Sequence, residues 1–277
     1  MQYINNFYIR TMKSLFFMIA FYLITAQMNA QGYAKTEGRE VVPFDKIHES
    51  MVLFTFGQSN SANYGQWNYL YTCKEEVYNY FNDTLYKAKD PLLGANGEAA
   101  SVWTLAGDKI IEKGLAKSVT IIPIGIGGVE IAAWAKGGKY YNYLIKTLDE
   151  VVKHGIEIDY ICWHQGESDN IANTSVKDYI NRFLTIREAF RSHGIEAPFI
   201  VAQASYHPDC LEEGHGCSKE IRKAQKELAK KYDDIYLGPD TDKLNKVYHR
   251  ADGVHFSHVG QRLHADMWVK SIKRIKK

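Results

Sequence analysis

A serine, a histidine and an aspartate occupy positions in this chain that suit acyl transfer. Gly57-Gln58-Ser59-Asn60 follows an apolar run, and Asp252-Gly253-Val254-His255-Phe256-Ser257 lies nearly two hundred residues downstream. A serine hydroxyl is a weak nucleophile until a base takes its proton, and neutral histidine is such a base near pH 7. That base needs a carboxylate on its other ring nitrogen to fix the tautomer. Asp252 and His255, three apart in a glycine-containing loop, can meet without long-range assembly. The oxyanion that develops needs donors, each typically supporting about 10²–10³ in rate. The candidates are the Ser59 N–H, an N–H in the Gly127–Gly128 turn and the side-chain amide of Gln165. Gln58, Asn60 and Glu167 are expected to support them, with Glu167 and Asp169 read as hydrogen-bonding groups that orient Gln165. Each residue also has a plainer reading. Ser59 could cap a helix, the two glycines could merely allow a turn, and the chain has ten histidines. The Asp-x-x-His spacing ahead of a final helix sets His255 above His164, His249 and His258.

The elements that must position these groups can be read from five apolar, β-branched or aromatic runs: 52–56, 119–124, 159–163, 199–203 and 235–237. Most are continuous and not alternating, as strands covered on both faces are. Helical spacing separates them, at Val102/Ala106/Ile110, at Tyr141/Leu144/Leu148/Val151/Val152, at Tyr179/Phe183/Ile186/Phe190 and at Ile221/Ala224/Leu228. Val259, Leu263 and Met267 start a last helix. Strands alternating with helices predict right-handed crossovers and a parallel sheet with helices on both sides. The chemistry-bearing residues then fall beyond the carboxyl ends of strands, where such sheets carry their sites. The segment 61–97 does not fit this rhythm. It holds Tyr64, Trp67, Tyr69, Tyr71, Tyr78, Tyr80, Phe81 and Tyr86, and it reads either as an aromatic wall for sugar rings or as a locally packed subdomain.

Other chemistries are disfavoured. Glu130 stands where a dinucleotide fingerprint needs its third glycine. Gly138-Lys139 lacks both the upstream glycine and the following Ser/Thr of a phosphate loop. Gly57-Gln58-Ser59-Asn60-Ser61 is not the Gly-x-Ser-x-Gly elbow. No His-Glu-x-x-His or other clustered spacing suggests a metal, so no metal or cofactor is expected.

The first 30 residues read as a secretory signal peptide, with Arg10 and Lys13 ahead of an apolar stretch from Leu15 to Ala26. That stretch is too short for a bilayer, which takes about 20 residues. Cleavage would follow Ala26 or Ala30, with Met12 an alternative start, leaving one domain over residues 45–277 and no stable membrane span. The whole chain has 34 basic and 32 acidic residues; without Arg10 and Lys13 each sign numbers 32, which gives no footprint for nucleic acid. Secretion or residence in a periplasm would permit a bridge between Cys210 and Cys217 in their polar loop. Cys162 sits in an apolar run as a small hydrophobe.

The set GQSN, IGIGG, WHQGESD and DGVHFS, in this order, resembles the SGNH-type carbohydrate acetylesterases, nearest the sialate O-acetylesterase and acetylxylan esterase-like branch. The resemblance covers roughly residues 52–275, including the DPLLG stretch and Ser101-Val102-Trp103. It implies a three-layer α/β/α sandwich on a five-stranded parallel sheet, the flavodoxin-like SGNH hydrolase fold. It also implies Ser59 as nucleophile, His255 as base, Asp252 as its partner and Gln165 in place of the asparagine donor of other SGNH enzymes. Two departures stand out: Ser61 where members often have methionine, and a compact chain without the long insertions of larger sialate O-acetylesterases. The function expected is a serine esterase that removes acetyl groups from a carbohydrate. The alternatives are a non-catalytic carbohydrate-binding protein on the same scaffold, and a broader SGNH lipase or thioesterase. Neither the sugar nor the oligomeric state is legible in the sequence.

Overall fold

All seven residues of β1 (Met51–Gly57) are buried, as a continuous apolar run in the middle of a sheet requires. In the computed structural model, which describes residues 33–211 and 216–275, β1 pairs in parallel with β4 (Val119–Pro123) on one side and β5 (Tyr160–His164) on the other. Beyond β5 lie β6 (Phe199–Gln203) and β7 (Ile235–Asp240), both parallel. These are the five expected strands, and among themselves they take the flavodoxin-like order. The reversal of strand order falls at β1, between β4 and β5, so loops leaving β1, β4 and β5 open around one crevice.

The sheet has seven strands and not five, its order being β3-β2-β4-β1-β5-β6-β7. The two extra strands are β2 (Val77–Phe81), parallel to β4, and β3 (Thr84–Lys87), antiparallel to β2. They lie inside the aromatic segment, and the turn between them is Asn82-Asp83, both at positive φ, the backbone of a tight hairpin turn. Tyr78 and Tyr80 are 2% exposed. For this half of the segment the plainer reading is therefore the right one: its tyrosines are core.

Two helical layers cover the sheet. On one face lie α2 (Tyr141–Lys153), α4 (Val176–Ser192) and α5 (Lys219–Lys231), whose Leu144, Leu148, Tyr179, Phe183, Ile221 and Leu228 meet Phe54, Phe56, Ile122 and Val201. Val152, expected on that stripe, is exposed instead. On the other face lie α1 (Val102–Glu112) and α6 (His258–Ile275), packed over Leu53, Ile121, Cys162 and Ile200. Serine side chains cap three of these helices: Ser101 accepts from Trp103 N–H, Ser175 from Asp178 N–H and Ser218 from Ile221 N–H. The buried stripe of α6 differs from the expected one. It runs through His264, Ala265, Trp268 and Ile272, with Leu263 partly exposed, because Trp268 packs on Trp103 of α1 with ring centroids 4.7 Å apart. A short helix, α3 (Glu167–Ile171), starts just after β5.

Residues 33–44 also join this body. Tyr33 bridges to Asn96 and Val41 to Tyr86, while Arg39 donates to the Lys89 and Pro91 carbonyls. The signal-peptide reading of residues 1–30 lies outside the described residues. Among the described residues no helix is long and apolar enough to cross a membrane. The polar loop that carries Cys210 and Cys217 is described only up to residue 211 and from residue 216 on.

Candidate active site

Strand β1 ends at Gly57, which pairs with His164 at the end of β5. A Cβ at Gly57 would stand 2.0 Å from the His164 carbonyl oxygen, and its φ is +131°. Only glycine lets the two strand ends approach this closely. The chain then turns through Ser59–Ser61, a single 3-10 turn in which Ser59 is 3% exposed. Gln58 N–H donates to the His164 carbonyl (2.9 Å). The Gln58 side-chain oxygen accepts from the N–H groups of Gly166 (3.2 Å) and Ser168 (3.1 Å), at the start of α3.

His255 approaches from the far end of the chain. Its Nδ1 lies 2.6 Å from Asp252 Oδ2, and its N–H donates to Asp252 Oδ1 (2.7 Å), as does that of Val254 (2.9 Å). Burial raises the affinity of Asp252 for a proton, but the His255 ring and these two N–H groups outweigh it and hold the carboxyl well below the usual range. The carboxylate fixes Nδ1 and leaves Nε2 as the ring nitrogen available to a substrate or a serine.

Asn60 ties the two ends together. Its Nδ2 donates to Glu167 Oε1 (2.9 Å) and lies 3.4 Å from the Val254 carbonyl, so the residue after Ser59 touches the residue before His255. Tyr64 stacks on the His255 ring, with centroids 5.2 Å apart and planes 27° off parallel. Gly127 backs Tyr64 closely, since a Cβ there would stand 2.5 Å from the Tyr64 ring. Glu167 is fully buried beside His164, with His164 Nε2 3.4 Å from Oε1. Burial opposes its ionisation, but the His164 ring and the Asn60 amide prevail and lower its proton affinity.

Two of the four expected oxyanion donors are occupied. Gly127 N–H donates to Asn96 Oδ1 (2.8 Å). Gln165 is 0% exposed, and its two amide hydrogens face Asp169 Oδ2, Val129 O (3.2 Å) and Gln58 Oε1 (3.3 Å). An amide nitrogen has two hydrogens, and both are taken. The expectation that Gln165 and Gly127 present hydrogens to a ligand is corrected on that ground. The Ser59 and Gly128 N–H groups have no acceptor among the described residues. Asp169, expected to orient Gln165, accepts its amide and the Ile131 N–H (2.7 Å).

Sequence reasoning missed Arg250. Its guanidinium, 6% exposed, donates to the carbonyls of Leu244 (2.7 Å), Val254 (2.5 Å) and Thr241 (3.2 Å) and lies over the Phe256 ring, 4.0 Å from its centroid. It thereby clasps the loop that carries Asp252 and His255. A lone arginine in a polar loop gave no periodic or spacing signal. Among the described residues, no three His, Cys, Asp or Glu side chains are placed to hold a metal ion.

A mostly parallel sheet of this order, with the residues of GQSN, HQGE and DGVH near its crossover point, has the fold of the SGNH hydrolases. The model of the family described as carbohydrate esterase, sialic acid-specific acetylesterase, matches residues 19–274, and the chain belongs to that family. It is 28% identical over 108 residues to the probable carbohydrate esterase At4g34215 of Arabidopsis thaliana, a stretch that makes up 39% of each chain. The solved structure of that plant protein superposes with a TM-score of 0.63 at 17% identity, covering 82% of this chain and 98% of the other. NanS superposes with a TM-score of 0.57 at 14% identity, covering 82% and 97%. A structure described as a novel carbohydrate acetylesterase, from Xanthomonas citri, gives 0.55 at 14% identity, covering 81% and 56%. At these identities the superpositions speak for the fold.

Proposed function

We propose that this carbohydrate esterase removes O-acetyl groups from sugars through an acetyl-enzyme on Ser59, with His255 as general base and acid and Asp252 as its partner. Ser59 Oγ attacks the acetyl carbonyl carbon, and its proton passes to His255 Nε2. The carbonyl π electrons move onto oxygen, which rests on the Ser59 and Gly128 N–H groups. Collapse breaks the bond to the sugar oxygen, and His255 returns the proton to that leaving oxygen. Water, deprotonated by His255, then attacks the acetyl-enzyme, and acetate leaves as Ser59 regains its proton. Asn60 and Gln58 hold the nucleophile turn, and Glu167 anchors Asn60.

The observation that carries this reading is the Asn60 amide, which spans from Glu167 to the carbonyl beside His255 and so seats a serine turn against an Asp–His pair. An acetylated carbohydrate is the substrate, with O-acetylated sialic acids the first to test. Export, as a secreted or periplasmic protein, belongs to the same reading and rests on the basic-then-apolar first 30 residues. N-terminal sequencing of protein recovered outside the cytoplasm would check it.

Ser59→Ala is expected to lower turnover of p-nitrophenyl acetate by at least about 10³, because triad members act as a unit. Unchanged turnover would refute the assignment, and failure of an organophosphonate to label Ser59 would favour a sugar-binding protein without catalysis. A preference for long acyl chains over acetate would make the enzyme a broader lipase.

A further inference from the structure

The exposed half of the aromatic segment is not used by the acyl-transfer site. Trp67 is 76% exposed, Tyr69 48% and Leu70 52%. Tyr69 lies on the His258 ring at 4.3 Å between centroids, only 16° from parallel. Behind this pair opens a cleft of about 340 Å³, lined by Tyr69, Tyr71, Lys74, Glu112, His258 and Arg262 among others. Its walls are fixed. Asp108 of α1 accepts from Tyr71 Oη (2.6 Å) and from the Lys74 and Glu75 N–H groups (2.9 and 3.1 Å), which pins the segment to the helix. Lys109 pairs with Asp266 at 2.6 Å and joins α1 to α6.

The cleft is continuous with the loop of the candidate base. Gln66 N–H donates to the Phe256 carbonyl (3.2 Å), and the His258 N–H donates to Gln66 Oε1 (2.9 Å). His258 follows His255 by three residues, so their Cα atoms lie within about 11 Å of each other. The lining combines what a pyranose needs. A flat aromatic ring held at one face by a partner meets the C–H face of the sugar, and the charged ends of Lys74, Glu112 and Arg262, none of which has a hydrogen-bond or ion-pair partner among the described residues, face its hydroxyls. The open face of Tyr69 is half in water, at 48% exposure.

We propose that the cleft between residues 66–74 and the start of α6 is an accessory subsite for the carbohydrate units flanking the acetylated residue. The inference rests on the esterase reading, and it makes the enzyme prefer an acetyl group on an oligosaccharide to one on a free monosaccharide.

The test compares wild type, Tyr69→Ala and Arg262→Ala on p-nitrophenyl acetate, an acetylated monosaccharide and acetylated oligosaccharides of increasing length. For wild type, kcat/KM rises with chain length. In each variant that rise is lost through KM, by about three- to tenfold for Tyr69→Ala, while the monosaccharide and p-nitrophenyl acetate lose much less. Kinetics of wild type that ignore chain length, or equal losses on all substrates, would overturn the proposal. A second arm titrates non-acetylated oligosaccharide into wild type and Arg262→Ala by calorimetry. Binding by wild type that weakens in the variant supports the subsite even if no ester is cleaved, whereas absence of turnover by wild type refutes the esterase reading and not the cleft. No binding by wild type, or equal binding by both, counts against the subsite.

Discussion

Arg250 carries its charge almost out of water, with backbone oxygens from three residues of one region as its neighbours. A planar fork with five fixed donors can serve three carbonyls at once, which a lysine ammonium on a flexible stem cannot. Arg250→Met is therefore expected to cost about 3 kcal/mol, since it leaves buried carbonyls unsatisfied. It should also slow kcat by about 10²-fold, the scale of a misplaced catalytic group. Arg250→Lys should recover part of the stability and little of the rate. Thermal denaturation and acetate-ester kinetics measured together check this, and a stable Arg250→Met protein of undiminished kcat would make the guanidinium irrelevant to the loop. The residue was not legible in the sequence, because its role depends on which carbonyls surround it. The pairing of Asp252 with His255 was legible because their types and three-residue spacing already let them meet. The occupancy of Gln165 was not legible. Spacing brought Gln165 to the right strand end, but it could not show that Asp169 and Val129 would take its hydrogens.

At the scale of elements, the strand ends matter most, and the glycines there are not interchangeable. Gly57→Ala would drive a Cβ into the His164 carbonyl, whereas Gly155 after α2 has nothing within 4 Å and differs only in its φ of +59°. Gly155→Ala should cost about 1 kcal/mol for the left-handed backbone. Gly57→Ala should cost more than about 4 kcal/mol or prevent folding. Equal shifts in melting temperature would show that β1 and β5 can part without penalty. The five central strands were legible because burial on both faces leaves uninterrupted apolar runs. The β2–β3 hairpin was not, since its strands are tyrosine-rich and its turn lacks the glycine that usually marks one. Asn82-Asp83 between two β-forming stretches was the signal available. The stripe of α6 was misread because His264 and Gly260 face inward, and neither counts as apolar in a periodicity argument.

For the whole molecule, acid stability follows from carboxylates whose proton affinity changes on folding. Asp234, ahead of β7, takes Arg187 Nε at 2.8 Å and Arg191 Nη2 at 2.5 Å, both from α4. Burial pushes its proton affinity up, but the two guanidinium groups win and lower it. A folded-state pKa below the unfolded value of about 3.9 means that the stabilisation is complete above that pH and is lost as the pH falls through the folded value. Asp234→Asn should thus be less stable than wild type at neutral pH by about 1–2 kcal/mol, and the two unfolding curves should converge below about pH 4. A constant gap at all pH values would sink the linkage. The placement of Asp252 and His255 on one short loop has a consequence of another kind. Any excursion of that loop carries the acid and the imidazole away as a single body, their mutual bond intact, and abandons the alcohol. On the proposed mechanism such a conformer is idle, and a reagent that reacts with an activated serine would count the molecules in gear.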